Sequence, residues 1–343
     1  MNFRSRGALL VPFCLAATGA VGHEMLTTLA DRKFPADTVI PLASKNSAGR
    51  EVSYGDKNLK VQALDGFNFK GVDIVLSSAG AKISAEFAPE AVHAGAVIID
   101  NTSHFRMDAD VPLVVPEVNP EAIADYKKKG IIANPNCSTI QMVVALKPLH
   151  DIAKIKRVVV STYQSVSGAG KDGMDELFEQ SRKFFVTDGI KPQIFAKQIA
   201  FNVIPQIDVF MEDGHTKEEW KMMVETKKIM GTEIKVAATC VRVPVFIGHS
   251  EAITVEFENE ISVKAARAAW KRAKGVSVIE RDSDMEFVTP AEIAGEDDVF
   301  ISRIREDNTV ENGLSFWCVA DNVRKGAALN AVQIAEILAK KYL

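Results

Sequence analysis

The sequence predicts an α/β fold in two domains, and three observations carry that expectation. At 343 residues the chain is long for one hydrophobic core. Up to about residue 135 short apolar runs alternate with helical patterns, as parallel βαβ units do. From residue 156 the texture shifts to longer strands, one of them alternating like a half-exposed strand of an antiparallel sheet, separated by long polar helices.

The first element is ambiguous. In ALLVPFCLAATGAVG, residues 8–22, an apolar run follows Arg4 and Arg6 and leads into small residues, the layout of a secretory leader. The same stretch reads as a strand followed by a turn, Thr18-Gly19-Ala20-Val21-Gly22, into a helix near His23 whose N–H groups suit a phosphate. Buried strands are expected at 39–43, 73–77, 96–100, 113–115 and 131–133, with helices at 23–32 and 84–94. A helix-like run at 140–149 follows. Strands are then expected at 158–164, 237–245 and 251–257, with polar helices at 172–187 and 217–230 and an amphipathic helix at 327–340.

Composition narrows the function classes. An apolar share of 47% and a charged share of 25% are those of an ordinary soluble protein. A net charge of −4 without a basic stripe argues against nucleic acid as a partner. Beyond the first twenty residues nothing approaches a membrane span. The four cysteines, Cys14, Cys137, Cys240 and Cys318, form no Cys-x-x-Cys pair, so neither a disulfide framework nor a metal site is expected, and a reducing compartment fits.

The sharpest local feature is Asn134-Pro135-Asn136-Cys137-Ser138-Thr139. Asn136 and Ser138 are good cap residues, which puts Cys137 at a helix N-terminus, where the dipole favours a thiolate and N–H groups can stabilise an oxyanion. A buried structural cysteine is the competing reading. A thiolate wants a base, and of six histidines His249 differs from the rest, lying by a glycine turn in RVPVFIGHSE, seven residues after Arg242. A turn or core histidine is the bland alternative. Arg242 inside an apolar run needs an anion, either a substrate carboxylate or a structural partner. The Gly168-Ala169-Gly170 turn lets backbone approach a ligand, or is a simple loop.

Together NPNCST (134–139), TYQSVSGAG (162–170), EEWK (218–221), RVPVFIGHSEA (242–252) and DNVRKGAALNAVQIAE (321–336) resemble the aspartate-β-semialdehyde dehydrogenase family, from about Thr18 to the C-terminus. The resemblance implies a Rossmann-type nucleotide-binding domain over 1–136, completed by a C-terminal helix over 323–343. It also implies a second α/β domain over 137–322, with a mixed or antiparallel sheet, that carries catalysis and homodimerisation. It implies Cys137 as nucleophile, His249 as acid/base and Gln164 as orienter of the acyl intermediate. Arg242 would hold the substrate α-carboxylate and Glu219 its amino group, Arg106 and Lys221 the phosphate, and Asn136 groups with these substrate residues. Thr18, Gly19, Ala20, Val21, Ser44, Lys45, Ser167, Gly168 and Asn322 resemble NADP contacts. The implied reaction is cytoplasmic and reversible, reducing L-4-aspartyl phosphate to L-aspartate 4-semialdehyde and phosphate for lysine, threonine and methionine synthesis.

Two departures keep alternatives open. Pro12 falls in the first strand and Ala16 replaces the first glycine of the turn; both bear on cofactor binding. Lys45 stands where the family commonly has an arginine for the 2′-phosphate. A leader is disfavoured, because its removal would take the first strand with it. The alternatives are a catalytically weakened paralogue acting as a dimeric partner and N-acetyl-glutamyl-phosphate reductase.

Overall fold

The computed structural model describes residues 12–15, 17–186, 191–231, 234–280 and 286–343, the first four by backbone alone. Two compact units form: Met1–Pro135 with Ala327–Leu343, and Asn136–Gly326.

In the first unit the strands are β1 (Pro12–Leu15), β2 (Ile40–Ala43), β3 (Glu51–Tyr54), β4 (Lys57–Lys60), β5 (Gln62–Ala63), β6 (Ile74–Ser77), β7 (Val97–Asp100) and β8 (Ile131–Ala133). Helices α1 (Ala20–Asp31) and α2 (Ala81–His93) are the crossovers. The main sheet runs β5-β2-β1-β6-β7-β8, all parallel, with β3 and β4 a separate hairpin. Strands β6 and β7 are buried at every position, as parallel strands covered on both faces must be. Pro12 opens β1 among the described residues, the one place in a central strand where a missing N–H is tolerated; Ala16 lies outside them.

Residues 113–115 are buried but form no ladder strand, only a bridge from Leu113 to Ala133. The ladder to β8 stops after Val114 N donates to the Ala133 carbonyl at 3.1 Å: the next donors would be Pro135 and Pro116, which have no N–H, and the Val114 carbonyl accepts from Asn330 Nδ2 at 3.0 Å instead.

The second unit contains α3 (Cys137–Ala153), β9 (Ile155–Gln164), α4 (Gly170–Phe184), α5 (Lys217–Met230), β10 (Lys235–Arg242), β11 (His249–Phe257), α6 (Val263–Arg272), β12 (Val276–Val278), α7 (Pro290–Ile293), β13 (Val299–Glu306) and β14 (Gly313–Ala320). Its sheet runs β10-β9-β11-β14-β13-β12; the two outer pairs, β10/β9 and β12/β13, are parallel and the rest antiparallel. Trp270 of α6 is buried, its Nε1 donating to the Ala145 carbonyl of α3 at 2.7 Å and its ring 4.9 Å from Phe316 of β14. The last helix, α8 (Leu329–Lys341), belongs to the first unit: Val332, Ile334, Ala335 and Leu338 share a core with Met25, Leu26 and Leu29 of α1.

Register in the second sheet assembles the candidate site. Arg242, the last residue of β10, pairs with Gln164, the last of β9, and Ser250, second in β11, pairs with Tyr163. Gln164, Arg242 and His249 therefore end up together at one end of three adjacent strands. The 237–245 strand expected from sequence stops at Arg242: Val243 N still donates to the Gln164 carbonyl at 3.0 Å, and Pro244, with no N–H, follows.

Candidate active site

The site is built from the second unit around the first turn of α3. Asn136 is its N-cap, with Oδ1 accepting from Ser138 N at 3.0 Å and Thr139 N at 3.2 Å. Helix α5 holds this cap from outside. The Asn136 amide N–H donates to Glu225 Oε2 at 2.7 Å and its Nδ2 to Glu218 Oε1 at 2.8 Å; these glutamates lie seven residues apart, on one face of α5. Cys137, half-buried and outside any disulfide, is thus the first helical residue behind a cap bound on every side. Gly326 closes the other side, since a Cβ there would come 2.8 Å from the Cys137 Cβ.

Glu218 is the electrostatic hub. It is buried, and it accepts from Gln164 Nε2 at 3.1 Å and Lys221 Nζ at 3.0 Å as well as from Asn136. Burial alone would raise its pKa, but Lys221, Asn136 and Gln164 outweigh it and bring the carboxyl down to about 2. Burial likewise opposes the charge on Lys221, yet Glu218 and Asp208 hold that ammonium above the usual lysine value, Asp208 Oδ2 lying 2.9 Å from Nζ.

Glu219, which the resemblance points to for the substrate amino group, has both carboxylate oxygens engaged within the protein. Its Oε2 accepts from Thr216 N at 2.7 Å while Thr216 Oγ1 accepts from Glu219 N, a capping box, and its Oε1 accepts from Cys240 N at 3.0 Å. Both oxygens are engaged in holding helix and strand. Glu218 is the carboxylate that meets Gln164 and Lys221, and the Thr216-x-x-Glu219 pattern was the available signal.

Arg242 is buried, donates from Nη1 to the Ser165 carbonyl at 2.7 Å, and lies over the Phe195 ring at 5.9 Å. Burial weighs against its charge, while Glu218 and Cys137 favour it. Among the described residues no carboxylate forms an ion pair with it. His249 is fully buried; its Nδ1 accepts from the Ser165 N–H at 3.0 Å, with Ser165 Oγ at 3.1 Å. Its Nε2 is buried without a hydrogen-bond partner. Burial first, then the Arg242 cation, lowers the imidazole to about 3 against the pull of Glu218. A Cβ on Gly168 would come 2.7 Å from Arg242 Nη1 and 3.4 Å from His249 Nε2, so the bare glycine leaves room between the two side chains.

Asn322 sits behind the histidine. Its Oδ1 accepts from Gly248 N at 2.9 Å and from the hydroxyls of Ser165 and Ser167 at 3.0 and 3.1 Å, and its Nδ2 reaches Ser167 Oγ at 2.9 Å.

The other expected ligands lie in the first unit. Gly19 caps α1 with extended backbone, and no side chain caps that helix. Thr18 is exposed; Ala20 and Val21 are half-buried in its first turn. Ser44 and Lys45 lie on an exposed turn, with Lys45 paired to Asp65. Arg106 is buried, with Nη2 donating to the Asn101 carbonyl at 2.9 Å. Among the described residues no cluster of metal-ligating side chains occurs, and no helix is long and apolar enough to cross a membrane.

Two family models match the chain: a semialdehyde dehydrogenase NAD binding domain over residues 15–126 and a semialdehyde dehydrogenase dimerisation domain over 146–325. Among curated proteins it is 56% identical to an aspartate-semialdehyde dehydrogenase of Aquifex aeolicus, over 96% of this chain and 98% of that one. An enzyme of the same name from Campylobacter jejuni is 52% identical, over 94% and 95%. Among solved structures it is similar to aspartate semialdehyde dehydrogenase II of Vibrio cholerae complexed with ASA, at TM-score 0.95 and 49% identity, over 98% and 99% of the two chains. It also matches the Candida albicans enzyme with NADP, at TM-score 0.73 and 27% identity, over 96% and 98%. The chain belongs to the aspartate-semialdehyde dehydrogenase family.

Proposed function

We propose that this protein catalyses the reversible, NADPH-dependent reduction of L-4-aspartyl phosphate to L-aspartate 4-semialdehyde and phosphate, in the cytoplasm and as a homodimer, on the route to lysine, threonine and methionine. The observation that carries the reading is Cys137 at the capped start of α3, in one unit with the Glu218–Lys221–Gln164 cluster and with Arg242 and His249.

Each residue has a chemical task. The N-terminus of α3 and the Arg242 cation favour the Cys137 thiolate, which attacks C4 of the acyl phosphate; phosphate leaves and a thioester remains. Arg242 holds the α-carboxylate, and Glu218, ionised at neutral pH, holds the amino group. Lys221 and Arg106 would bind phosphate, while Gln164 orients the acyl group. His249 serves the carbonyl oxygen of the reacting carbon.

The first turn of α1 suits the cofactor diphosphate: this 12-residue helix has neither a side-chain cap nor an acidic residue in its first turn, and the positive end of its dipole favours an anion. Thr18 to Val21 would hold the diphosphate, Ser44 and Lys45 the 2′-phosphate, and Ser167, Gly168 and Asn322 the nicotinamide end. When bound, the nicotinamide supplies the hydride chemistry.

Homodimerisation has support in the dimerisation-domain match, and the aspartate substrate in the names of the relatives. Phosphate-dependent NADPH formation from L-aspartate 4-semialdehyde, measured for the wild type and Cys137→Ser, tests the reading. Turnover lost only in the variant supports it; no turnover by a folded, dimeric wild type overturns it.

A further inference from the structure

We infer that Glu251 and Gln141 form a positioning pair, with Glu251 donating its own carboxyl proton to the Gln141 amide oxygen, that fixes the helix carrying Cys137 against strand β11. The inference rests on the proposed reaction for its rate measurements and adds two residues buried behind the site.

Strand register stacks two polar rows in the second sheet. Arg242, Gln164 and His249 form the first, at the strand ends. Two residues further into each strand the same register lines up Cys240, Thr162, Glu251 and Cys318, all buried. Helix α3 packs on these strands and repeats the layering: Gln141 lies one turn after Cys137, on the same face. Its Nε2 donates to the His249 carbonyl at 3.3 Å and lies 4.0 Å from Cys318 Sγ. That bond ties the second turn of α3 to the first residue of β11.

The hydrogen-bond count asks for one more proton. Gln141 is the amide that acts on Glu251, yet its Oε1 and both Glu251 oxygens are buried without a hydrogen-bond partner. Were Glu251 a carboxylate, all three would be acceptors with no strong donor among them. The Thr162 hydroxyl gives its hydrogen to Gln164 Oε1 at 3.0 Å, and thiols donate weakly. Turning the Gln141 amide over would set its oxygen against the His249 carbonyl, acceptor against acceptor. A proton on Glu251 supplies the missing donor and keeps Nε2 toward His249. Charge agrees. Among the described residues no cation pairs with Glu251, and burial raises its carboxyl and the neighbouring Cys240 and Cys318 thiols alike.

The link sets how far Cys137 stands from the first row, where a displacement of about 1 Å can cost roughly 100-fold in rate.

The test compares wild type with Glu251→Gln, Glu251→Leu and Gln141→Leu. Infrared difference spectra of wild type against Glu251→Gln, with ¹³C-labelled glutamate, should show the band of a protonated carboxyl at neutral pH. Glutamine keeps a donor and an acceptor, so Glu251→Gln should hold kcat within about threefold. Each Leu variant should lower kcat by about 10- to 100-fold, with KM for L-aspartate 4-semialdehyde within about threefold. The double Leu variant should be no slower than Gln141→Leu alone, because both act through one link. Alkylation of Cys137 by iodoacetamide, followed on its own peptide, should slow by about threefold or more in the Leu variants and not in Glu251→Gln. A carboxylate band in place of the acid, Glu251→Gln as slow as Glu251→Leu, or a folded Leu variant with full rate and alkylation overturns the inference. The spectra and the alkylation need no turnover, so absence of semialdehyde activity counts against the proposed reaction alone.

Discussion

Helices α1 and α3 open in opposite ways. At α1 a glycine caps, so the cap position brings no side chain to the first turn. At α3 the cap side chain takes two N–H groups, and two buried glutamates of α5 take the remaining donors of Asn136. The same helix end is thus put to two uses. An open end suits a ligand anion that comes and goes; a saturated end fixes a reactive side chain in place.

The largest effect should come from the saturated end. Cys137→Ser should lower kcat by about 10⁴-fold or more while NADPH affinity, followed by fluorescence titration, stays within about threefold. Asn136→Ala should cost about 1–2 kcal/mol from the cap alone in urea unfolding, and kcat should fall by about 10- to 100-fold as Cys137 loses its support. Equal loss from an Asn136→Asp variant, which keeps the cap oxygen, would assign the effect to the Nδ2 contact with Glu218.

The open end should respond with the opposite sign on stability. Gly19→Asp would cap α1 and bring a negative charge to its N-terminus. Its thermal midpoint should hold or rise, while NADPH binding weakens by about tenfold, or about 1.4 kcal/mol.

Buried charge around the saturated end sets the pH response. His249 is lowered to about 3 from 6.5, so its contribution is complete above pH 6.5 and is lost as pH falls toward 3. Glu218, lowered from 4.5 to about 2, adds a loss in the same direction below pH 4.5. Glu251 runs the other way: burial raises its carboxyl well above 4.5, so its contribution is present at acid pH and declines as pH rises. Glu251→Gln should therefore gain stability relative to wild type from about pH 5 to pH 8 in denaturation midpoints, with Gln141 Oε1, otherwise unpartnered, available to its amide. The smallest effect belongs to Lys45→Ala. Its pair with Asp65 is exposed, so the unfolding midpoint should not move and KM for NADPH should rise by no more than about threefold.

Much of the saturated end was legible because its signals are local. An Asn before Cys-Ser-Thr announces a cap, and the strands at β2, β6, β7 and β8 announce themselves as apolar runs between turns. Arg242 and His249 stood out locally, as a charge in an apolar run and an imidazole by a glycine turn, while Gln164 came through family resemblance; what joins them is strand register, which no short stretch encodes. Glu218 and Glu219 are adjacent and alike, and only recognising the Thr216 capping box tells which is already engaged. Ser165, Gly248 and Glu225 act through backbone N–H groups or long-range contacts, leaving no compositional trace. The 113–115 run has the apolar look of a strand, and Pro116 and Pro135, which lack the next ladder N–H groups, show why its pairing stops at one bridge.

The central claim, that carbon passes through Cys137 as a thioester, is tested most directly by a single turnover without phosphate. L-aspartate 4-semialdehyde and NADP⁺ mixed with excess enzyme should give a burst of NADPH that stalls, with the aspartyl group found by mass spectrometry on the peptide carrying Cys137 and released on adding phosphate. No burst until phosphate is added, or an acyl group on another residue, would contradict the account.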